Sequence, residues 1–501
     1  MRLNAKQIAN YTGGTFAVEP IDASAIMDAM TWDSREAKPG CLYVALPGER
    51  ADGHDFVAAA LRAGALGALV TRPLDEGTRT LAREMGAAVI EVPDAASALT
   101  DLARAWRGHL RGTVVGVTGS TGKTTTKNLV RDVLSAHGSV AATAGNQNNE
   151  LGVPKTILSA DPDTRFVVVE MGMRGAGQIA QLCEFVRPQW GLVTNVGESH
   201  IELLGSRENI ARAKAELLCA LPKASGVAFL NGADSLADYL LSCTEFDRWH
   251  NMAVCFDGSG SYAVQAGPEA GWRHRPAVWA EDVELDAQGR PRFVLAARGF
   301  SDGWPPDAMD DLAVWRQPCT LGLRGRHNVE NAVAAAAVGL QAGMGLEAIA
   351  QALAGALPEA GRQEVLCARG GFTVVNDAYN ANPDSMRAAL ATFCAMEVAG
   401  RRIAVLGDMG ELGEFAQACH EGVGQAAAAL PLDALVCVGD LAQHIADAAE
   451  RAGMDARRIV RAGSIAEVLG ELDVRVQPGD AVLVKASHFM GLSRVVEGLV
   501  N

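Results

Sequence analysis

The chain has 501 residues, and its composition excludes several classes of protein. A domain usually holds about 100 to 200 residues, so this length predicts about three domains. Hydrophobic residues make up 49% and charged residues 21%, which supplies packed cores and argues against general disorder. The formal net charge of −15 argues against a protein that binds nucleic acid or an anionic membrane surface.

Cysteine usage and the first residues predict the compartment. The ten cysteines are scattered singly, without a Cys-x-x-Cys pair, which is typical of reduced thiols rather than of a disulfide framework or a zinc site. Residues 1–10 contain no apolar run of the kind found in secretory signals. No stretch approaches the roughly 20 apolar residues of a transmembrane helix. We therefore expect a cytoplasmic protein without membrane insertion.

Short apolar runs alternate with helical patterns in the first 107 residues. Apolar runs at 41–46 and 65–70 flank a helical pattern at 56–63. The alternation predicts that residues 1–107 form a small α/β domain.

The most specific signal is a glycine-rich loop at residues 118–126, Thr-Gly-Ser-Thr-Gly-Lys-Thr-Thr-Thr, between a predicted strand at 113–117 and a predicted helix at 123–134. Its glycines let backbone N–H groups converge on phosphate oxygens, the lysine adds positive charge, and the next threonine offers a hydroxyl to Mg²⁺. Val117 stands where the strict phosphate-loop pattern has its first glycine. The prediction therefore rests on the shorter pattern Thr-Gly-Ser-Thr-Gly-Lys-Thr-Thr. The alternative is an ordinary glycine-rich turn with a solvated lysine. The lysine's place at a helix N-terminus, which favours anions, instead predicts ATP or another nucleoside triphosphate. The residues expected to bind it are Gly119, Ser120, Thr121, Gly122, Lys123, Thr124 and Thr125.

Polar residues follow two further predicted strands. Glu170 ends the strand at 165–169, and the strand at 191–195 leads into Asn-Val-Gly-Glu-Ser-His200. Open α/β sheets bind their ligands at the carboxyl ends of the strands, so the pair favours a shared Mg²⁺ site. Taken singly, Glu170 is also explained as a solvated acid, His200 as a structural or exposed histidine, and Lys214 as a surface lysine of the predicted helix at 207–218.

The remaining pattern extends the α/β organisation to the end of the chain. We expect residues 108–357 to form a mostly parallel sheet covered by helices on both faces. Residues 244–318 break the rhythm and predict an insertion or a small antiparallel lobe, and the alanine-rich segment 328–340 predicts a helix. Predicted strands at 372–376, 403–406, 434–438 and 481–484 indicate a third, nucleotide-binding-like α/β domain over residues 358–501.

Together these motifs resemble the Mur ligases, which include the folylpolyglutamate synthetases as relatives. The glycine-rich loop, Val169-Glu-Met-Gly172, Asn195 to His200 and Ala213-Lys-Ala-Glu216 occur in that family's order and spacing. Gly325-Arg-His-Asn-Val-Glu-Asn331 and Arg362 look like its nucleotide and phosphate contacts, and the resemblance runs over essentially the whole chain. It implies an α/β fold with three domains: one that binds a UDP-sugar, a central P-loop ATPase domain, and a C-terminal Rossmann-like domain that binds nucleotide and the amine substrate.

Three more segments resemble one branch of this family. Residues 143–154, 376–386 and 405–413 look like the branch that adds D-alanyl-D-alanine, and the Asp-Asn-Pro-Arg motif of the diaminopimelate-adding branch is absent. Residues 32–36 and 52–56 resemble its UDP-sugar-binding domain. The resemblance implies an ATP-dependent amide ligase that joins D-alanyl-D-alanine to UDP-N-acetylmuramoyl-tripeptide through an acyl phosphate, giving the UDP-MurNAc-pentapeptide precursor of peptidoglycan. We expect a monomer.

The resemblance also implies residue roles. Thr124 and Glu170 are expected to hold one Mg²⁺, and His200 with Lys214, which is carbamylated in the family, a second. The expected catalytic residues are Lys123, Glu170, His200 and Lys214. Further nucleotide contacts are expected at Asn328, Asn331, Arg362, Asp377, Tyr379 and Asn380. Substrate contacts are expected at Ser34, Arg35, Asn148 and Asn149.

Some alternatives remain open, and the chain departs from the family pattern twice. Tyr379 is also explained as a packed loop aromatic, and Asn328 and Asn331 as residues that cap or decorate a helix. The chain has Lys485-Ala-Ser-His488 where the family usually has Lys-Gly-Ser-Arg, and the segment 244–318 is longer than the family pattern. Competing functions are a ligase for another amino acid, a phosphate-loop ATPase coupled to a partner, and an inactive nucleotide-binding regulator.

Overall fold

The structure is a computed structural model that describes residues 1–48, 51–246, 248, 251–260, 275–300 and 314–500. Three large sheets follow one another along the chain, with five, nine and six strands. We call each sheet with its helices the N-terminal, central and C-terminal unit. Within the described residues, no helix combines the length and the apolarity needed to cross a membrane.

The N-terminal unit is a five-stranded sheet, parallel except at one edge. In spatial order its strands are Thr15–Val18, Ala88–Glu91, Gly67–Val70, Cys41–Val44 and Ala29–Thr31, and the first of them is antiparallel to its neighbour. Leu3–Asn4 and Ile26–Met27 form a separate two-stranded sheet. The helical segments are Ala5–Thr12, Gly53–Phe56 (3-10), Val57–Arg62, Glu76–Met85 and Ala95–Arg107.

The central unit is a nine-stranded sheet in which seven neighbouring strands, from Ala277–Leu285 to Val140–Ala142, pair in parallel. In spatial order its strands are Trp315–Thr320, Pro291–Arg298, Ala277–Leu285, Met252–Asp257, Val227–Asn231, Trp190–Val193, Thr113–Thr118, Phe166–Glu170 and Val140–Ala142. Its helices are Lys123–Ser135, Gly152–Ser159, Gln178–Val186, Ile201–Leu204, Arg207–Cys219, Ala237–Ser242, Asn328–Gln341 and Leu346–Ala354. The middle strands are valine-rich and buried because helices cover both faces.

Residues 244–318 contain the predicted antiparallel strands, but these strands extend the central sheet and do not form a separate lobe. Met252–Asp257 continues the parallel sheet, and three antiparallel-paired strands extend the same sheet to its edge. They are part of the central unit because their alternate apolar side chains, including Phe293 and Leu295, join the core under the helix Asn328–Gln341. Residues 247, 249–250, 261–274 and 301–313 of the segment lie outside the described residues.

The C-terminal unit has six strands, parallel except at one edge. In spatial order they are Glu364–Cys367, Thr373–Asn376, Ala481–Lys485, Arg402–Gly407, Ala434–Val438 and Ile459–Ala462, and the first is antiparallel. The α-helices are Pro383–Ala395, Ala416–Ala428, Ala442–Arg451, Ile465–Arg475 and Ser493–Val500, and 3-10 turns lie at Gly413–Phe415, Ala456–Arg458 and His488–Met490. All four strands predicted for this region are present.

Candidate active site

A cavity of about 1470 Å³ lies between the central and C-terminal units. The carboxyl ends of the central strands form one wall, and loops of the C-terminal unit form the other. This edge of a parallel sheet is where open α/β folds bind ligands. Sequence positions separated by hundreds of residues meet here, including Lys123, Glu170, His200, Arg362 and Tyr379.

Two glycines set the shape of the loop between Thr113–Thr118 and Lys123–Ser135. Gly122 has a φ of +75°, and a Cβ there would lie 2.4 Å from Asn331 Oδ1. Gly119 has a φ of +155°, and its Cβ would lie 1.8 Å from Thr194 Oγ1. Only glycine fits either place without displacing a neighbour. The loop therefore curls as the phosphate-binding prediction requires.

The neighbouring strand end holds this loop in place. Thr121 N donates to Asn195 Oδ1 at 2.9 Å, and Thr194 Oγ1 donates to Thr121 O at 2.6 Å. Lys123 Nζ donates to the carbonyls of Gly119 and Ser120 at 2.8 and 3.2 Å. Burial lowers the pKa of Lys123, and nearby Glu170 partly opposes the shift. The lysine side chain thus folds back onto the loop that precedes it.

Glu170 presents one free carboxylate oxygen. Its Oε1 accepts hydrogen bonds from Thr124 Oγ1 at 3.1 Å and Asn148 Nδ2 at 2.8 Å, and Arg362 Nη2 donates to Thr124 Oγ1 at 3.2 Å. Its Oε2 is buried and has no hydrogen-bond partner within the described ranges, and the same holds for Ser120 Oγ. Buried oxygens of this kind are costly unless a ligand satisfies them, and carboxylate and hydroxyl oxygens are ligands that Mg²⁺ accepts. The donor set therefore fits a magnesium ion beside the phosphate loop.

Lys214 is buried, which overturns its interpretation as a surface lysine. Its exposed fraction is 1%, and its side chain makes no hydrogen bond or ion pair within the part of the chain that the structure describes. Burial lowers its pKa well below the ordinary value, and the charge of Lys123 adds to the shift. The helix Arg207–Cys219 thus places a buried amine, with a lowered pKa, behind the cavity wall.

His200 faces the C-terminal unit. Burial lowers its pKa, and Glu411 opposes the shift. His200 Nδ1 lies 2.8 Å from Glu411 Oε2, within ion-pair distance but without hydrogen-bond alignment. Among the described residues, no group of three or more His, Cys, Asp and Glu side chains is arranged to hold a metal ion. Glu170 and His200 alone therefore do not form a complete set of metal ligands.

The asparagines of the alanine-rich helix connect it to the phosphate loop. Asn331 Oδ1 accepts a hydrogen bond from Thr126 Oγ1 at 3.0 Å, and its Nδ2 donates to Asn328 Oδ1 at 2.8 Å. Asn328 Nδ2 donates to Arg324 O at 2.6 Å. Both line the cavity, and the helix Asn328–Gln341 has no side-chain cap at its N-terminus.

The predicted residues of the C-terminal unit lie on the opposite wall. The Arg362 guanidinium stacks 4.3 Å from the centre of the Tyr379 ring, whose other neighbour is His488 at 5.8 Å between ring centres. Lys485 Nζ lies 2.8 Å from Asp377 Oδ2 and donates to Asn380 O at 2.9 Å. Tyr379 is therefore both packed and at the cavity surface.

The substrate residues expected from sequence divide into two places. Asn148 and Asn149 line the cavity, and Thr125 does so too. Ser34 and Arg35 do not line it: the Arg35 side chain is 88% exposed and pairs with Asp33 at 2.6 Å. Their substrate contacts stay predictions.

Arg174, Asn382 and Glu411 were not nominated from the sequence, yet Arg174 and Glu411 pair at 3.5 Å across the cavity. Asn382 Nδ2 donates to Ser199 Oγ at 3.3 Å, which joins the C-terminal unit to the loop before His200. The repeated glycines of 407–413 were a signal for Glu411, because such loops carry unusual backbone conformations.

Family models match three stretches of the chain. The Mur ligase middle domain matches residues 117–261, the glutamate ligase domain of Mur ligases matches 361–488, and the catalytic domain of the Mur ligase family matches 27–107. The chain belongs to the Mur ligase family, whose members are ATP-dependent peptide ligases.

Curated relatives and solved structures within that family are similar over nearly the whole chain. The UDP-N-acetylmuramoyl-tripeptide--D-alanyl-D-alanine ligase of Mycobacterium tuberculosis is 38% identical, with 100% of this chain and 98% of the relative covered. The Escherichia coli enzyme of the same name is 34% identical, with 95% of this chain and 94% of the relative covered. MurF from Acinetobacter baumannii has a TM-score of 0.78 at 29% identity, covering 100% and 99%. MurF ligase from Thermotoga maritima in complex with ADP has a TM-score of 0.69 at 28% identity, covering 94% and 97%.

Proposed function

We propose that this protein joins D-alanyl-D-alanine to UDP-N-acetylmuramoyl-tripeptide at the expense of ATP. The observation that carries the proposal is the full-length similarity to ligases of that name, at up to 38% identity. The cavity agrees with it, because the phosphate loop lines a space of about 1470 Å³ opposite residues of the C-terminal unit. We propose three domains: residues 1–107 bind the UDP-sugar, residues 108–357 bind ATP, and residues 358–501 bind nucleotide and the dipeptide. We further propose a cytoplasmic monomer.

ATP is proposed to bind between the central and C-terminal units. The loop Gly119 to Thr125 would bind the phosphates. Arg362 would contact them from the opposite wall, since its guanidinium donates a hydrogen bond to Thr124 Oγ1. Asn328 and Asn331, with Asp377, Tyr379 and Asn380, would contact the rest of the nucleotide. Ser34, Arg35, Asn148 and Asn149 are proposed to contact the UDP-tripeptide.

Two magnesium ions are proposed. Thr124 and Glu170 would hold one, and the unpaired Glu170 Oε2 supports this. His200 and a carbamylated Lys214 would hold the second. An uncharged amine is the form that reacts with carbon dioxide, so the lowered pKa of Lys214 supports carbamylation, which yields the anionic oxygen ligand that Mg²⁺ prefers. Bound Mg²⁺ supplies positive charge to the phosphates.

The reaction needs no nucleophile from the protein. A carboxylate is a poor acyl donor, so the tripeptide carboxylate first attacks the γ-phosphate of ATP and forms an acyl phosphate, releasing ADP. The amine of the dipeptide then attacks the acyl carbon, and phosphate leaves. Lys123 and Arg362 would offset the negative charges brought together in the first step, which is a positioning and electrostatic task. Closure of the two walls would exclude water from the acyl phosphate.

The acceptor distinguishes this function from its rivals. A ligase for another amino acid accepts diaminopimelate or glutamate, whereas the proposal expects a product only with D-alanyl-D-alanine. Each acceptor is supplied separately with ATP, Mg²⁺ and the UDP-tripeptide, and products are identified by mass spectrometry. A product with a single amino acid, and none with the dipeptide, would refute the proposal.

A further inference from the structure

Two non-glycine residues in left-handed backbone conformations meet across the cavity. Glu411, in the C-terminal unit, has a φ of +61°, and His200, in the central unit, has a φ of +64°. Residues with a side chain rarely adopt this region, and they keep it where the surrounding structure holds them. Their side chains approach to 2.8 Å. His200 also lies in a turn of its own unit, since Ile201 N donates to Glu198 O at 3.1 Å. The two left-handed residues therefore bring a contact between units to the end of that turn.

The loop around Glu411 is fixed by its own unit. Met409 N donates to His420 Nε2 at 2.9 Å, and Gly410 N donates to Ser487 Oγ at 3.0 Å. Met409 and Leu412 are buried on either side. Because these anchors belong to the C-terminal unit, the Glu411 carboxylate moves together with that unit.

The loop before His200 is fixed from two sides. On the central side, Ser199 Oγ donates to Ser120 O at 3.3 Å, and Asn195 Oδ1 accepts from Thr121 N at 2.9 Å, so the loop contacts the phosphate loop. On the other side, Asn382 Nδ2 donates to Ser199 Oγ at 3.3 Å, next to the contact of Glu411 with His200. A displacement of the C-terminal unit would thus change the contacts of Ser199 and His200, and Ser199 in turn contacts the phosphate loop.

Arg174 completes the contact. Its Nε lies 3.5 Å from Glu411 Oε1, so one carboxylate engages two residues of the central unit. All three side chains line the cavity. A carboxylate shared in this way holds its partners only when the two units are close.

We propose that Glu411 is a positioning residue that couples closure of the C-terminal unit to the placement of His200 and the phosphate loop. The inference rests on the ATP-dependent ligation proposed above. Glu411 contributes through His200, Arg174 and the loop 195–200, and it forms no bond to the reacting atoms.

Kinetics of Glu411→Gln test the role in the complete protein. The substitution keeps size and removes charge, and loss of a partner that orients a catalytic side chain typically costs about 10 to 100-fold in activity. We expect kcat to fall by that factor with little change in the KM for ATP, because the hydrogen bonds that shape the phosphate loop do not involve Glu411. Glu414→Gln is the matched control: this exposed acid lies three residues on, outside the cavity lining, and should leave kcat unchanged.

Glu411→Gly separates positioning from folding. Glycine relieves the left-handed backbone while it removes the carboxylate, so we expect a melting temperature at or above that of the wild type together with a lowered kcat. A merely structural role predicts the opposite pairing, in which the melting temperature falls or kcat is retained. Either of those results would overturn the proposal.

X-ray scattering measures closure directly. With Mg²⁺ and a non-hydrolysable ATP analogue, the wild type and Glu414→Gln should have a smaller radius of gyration than Glu411→Gln. Equal radii would overturn the coupling, whatever the activity. If the wild type forms no pentapeptide product, the proposed function fails instead, and the scattering comparison still reports on Glu411.

Discussion

Glu330 is the residue whose ionisation the structure most clearly ties to stability. It lies in the first turn of Asn328–Gln341 and contacts Asn231. Burial raises its pKa to about 7, and nearby Asp257 and Asp234 add to the shift. The unfolded chain releases this proton near pH 4.5, so stability falls as pH rises from about 4.5 to 7 and stays lowered above that.

Glu330→Gln should remove this loss of stability at high pH. We expect the variant to be more stable than the wild type at pH 8, by on the order of 2 kcal/mol, and equal to it near pH 4.5. Urea unfolding without nucleotide at the two pH values measures the difference. Glu347→Gln, at an exposed acid on the next helix, is the control. A gain for Glu330→Gln that does not depend on pH would contradict the assignment.

Lys214 offers a second test at a single residue. If it carries a carbamate, the protein incubated with ¹³C-labelled bicarbonate should show a carbamate resonance that Lys214→Met lacks. The same substitution should lower ligation roughly 100-fold, since it removes a ligand that stabilises charge. Lys6→Met, at an exposed lysine of the first helix, should keep both signals. A resonance that persists in Lys214→Met would show that carbamylation occurs elsewhere.

Single residues were predictable where a local motif fixed their chemistry. The loop Gly119 to Thr125 and Glu170 were found because strand ends and glycine turns lie next to them in sequence. Burial of Lys214 was not, because the helix Arg207–Cys219 is enclosed by elements that its own periodicity does not describe. The contact of Glu411 with His200 depends on the packing of two units and leaves no local pattern.

The phosphate loop and its helix give a prediction for one element. Gly122→Ala would place a Cβ 2.4 Å from Asn331 Oδ1 in a left-handed backbone, so we expect a loss of at least about 1 kcal/mol in stability and weakened ATP binding. Gly422→Ala is the matched control, since that helical glycine has no atom within 4 Å of the added Cβ. It should gain about 0.5 to 1 kcal/mol. Calorimetric titration with ATP and thermal unfolding measure both. Wild-type ATP affinity in Gly122→Ala would contradict the phosphate-loop assignment.

Elements were predictable in proportion to the apolar surface they bury. The strand Ala434–Val438 is wholly buried, and its predicted bounds were confirmed. The edge strands Val140–Ala142 and Glu364–Cys367 escaped prediction because each contains a run of only three apolar residues and their side chains are half-buried or exposed. The antiparallel strands from Ala277 to Thr320 looked like a separate lobe because Gly, Pro, Trp and Asp occur in irregular order along this part of the sequence and interrupt the apolar pattern.

At the scale of the whole molecule, the three α/β units and their order follow from the sequence, but their mutual arrangement does not. The active site is assembled from the central and C-terminal units, which contribute opposite walls of one cavity. Contacts such as Arg362 with Thr124 and Asn382 with Ser199 join residues 238 and 183 positions apart. Such pairs arise from tertiary packing, which single-chain periodicity cannot encode.

Phosphate release in the presence and absence of the dipeptide distinguishes a ligase from an ATPase. Phosphate is measured with ATP, Mg²⁺ and UDP-N-acetylmuramoyl-tripeptide, with D-alanyl-D-alanine supplied or withheld. The proposed mechanism predicts sustained release only when the dipeptide is present, because the acyl phosphate awaits the amine. Release at the same rate without the dipeptide would contradict the ligase assignment and favour an ATPase.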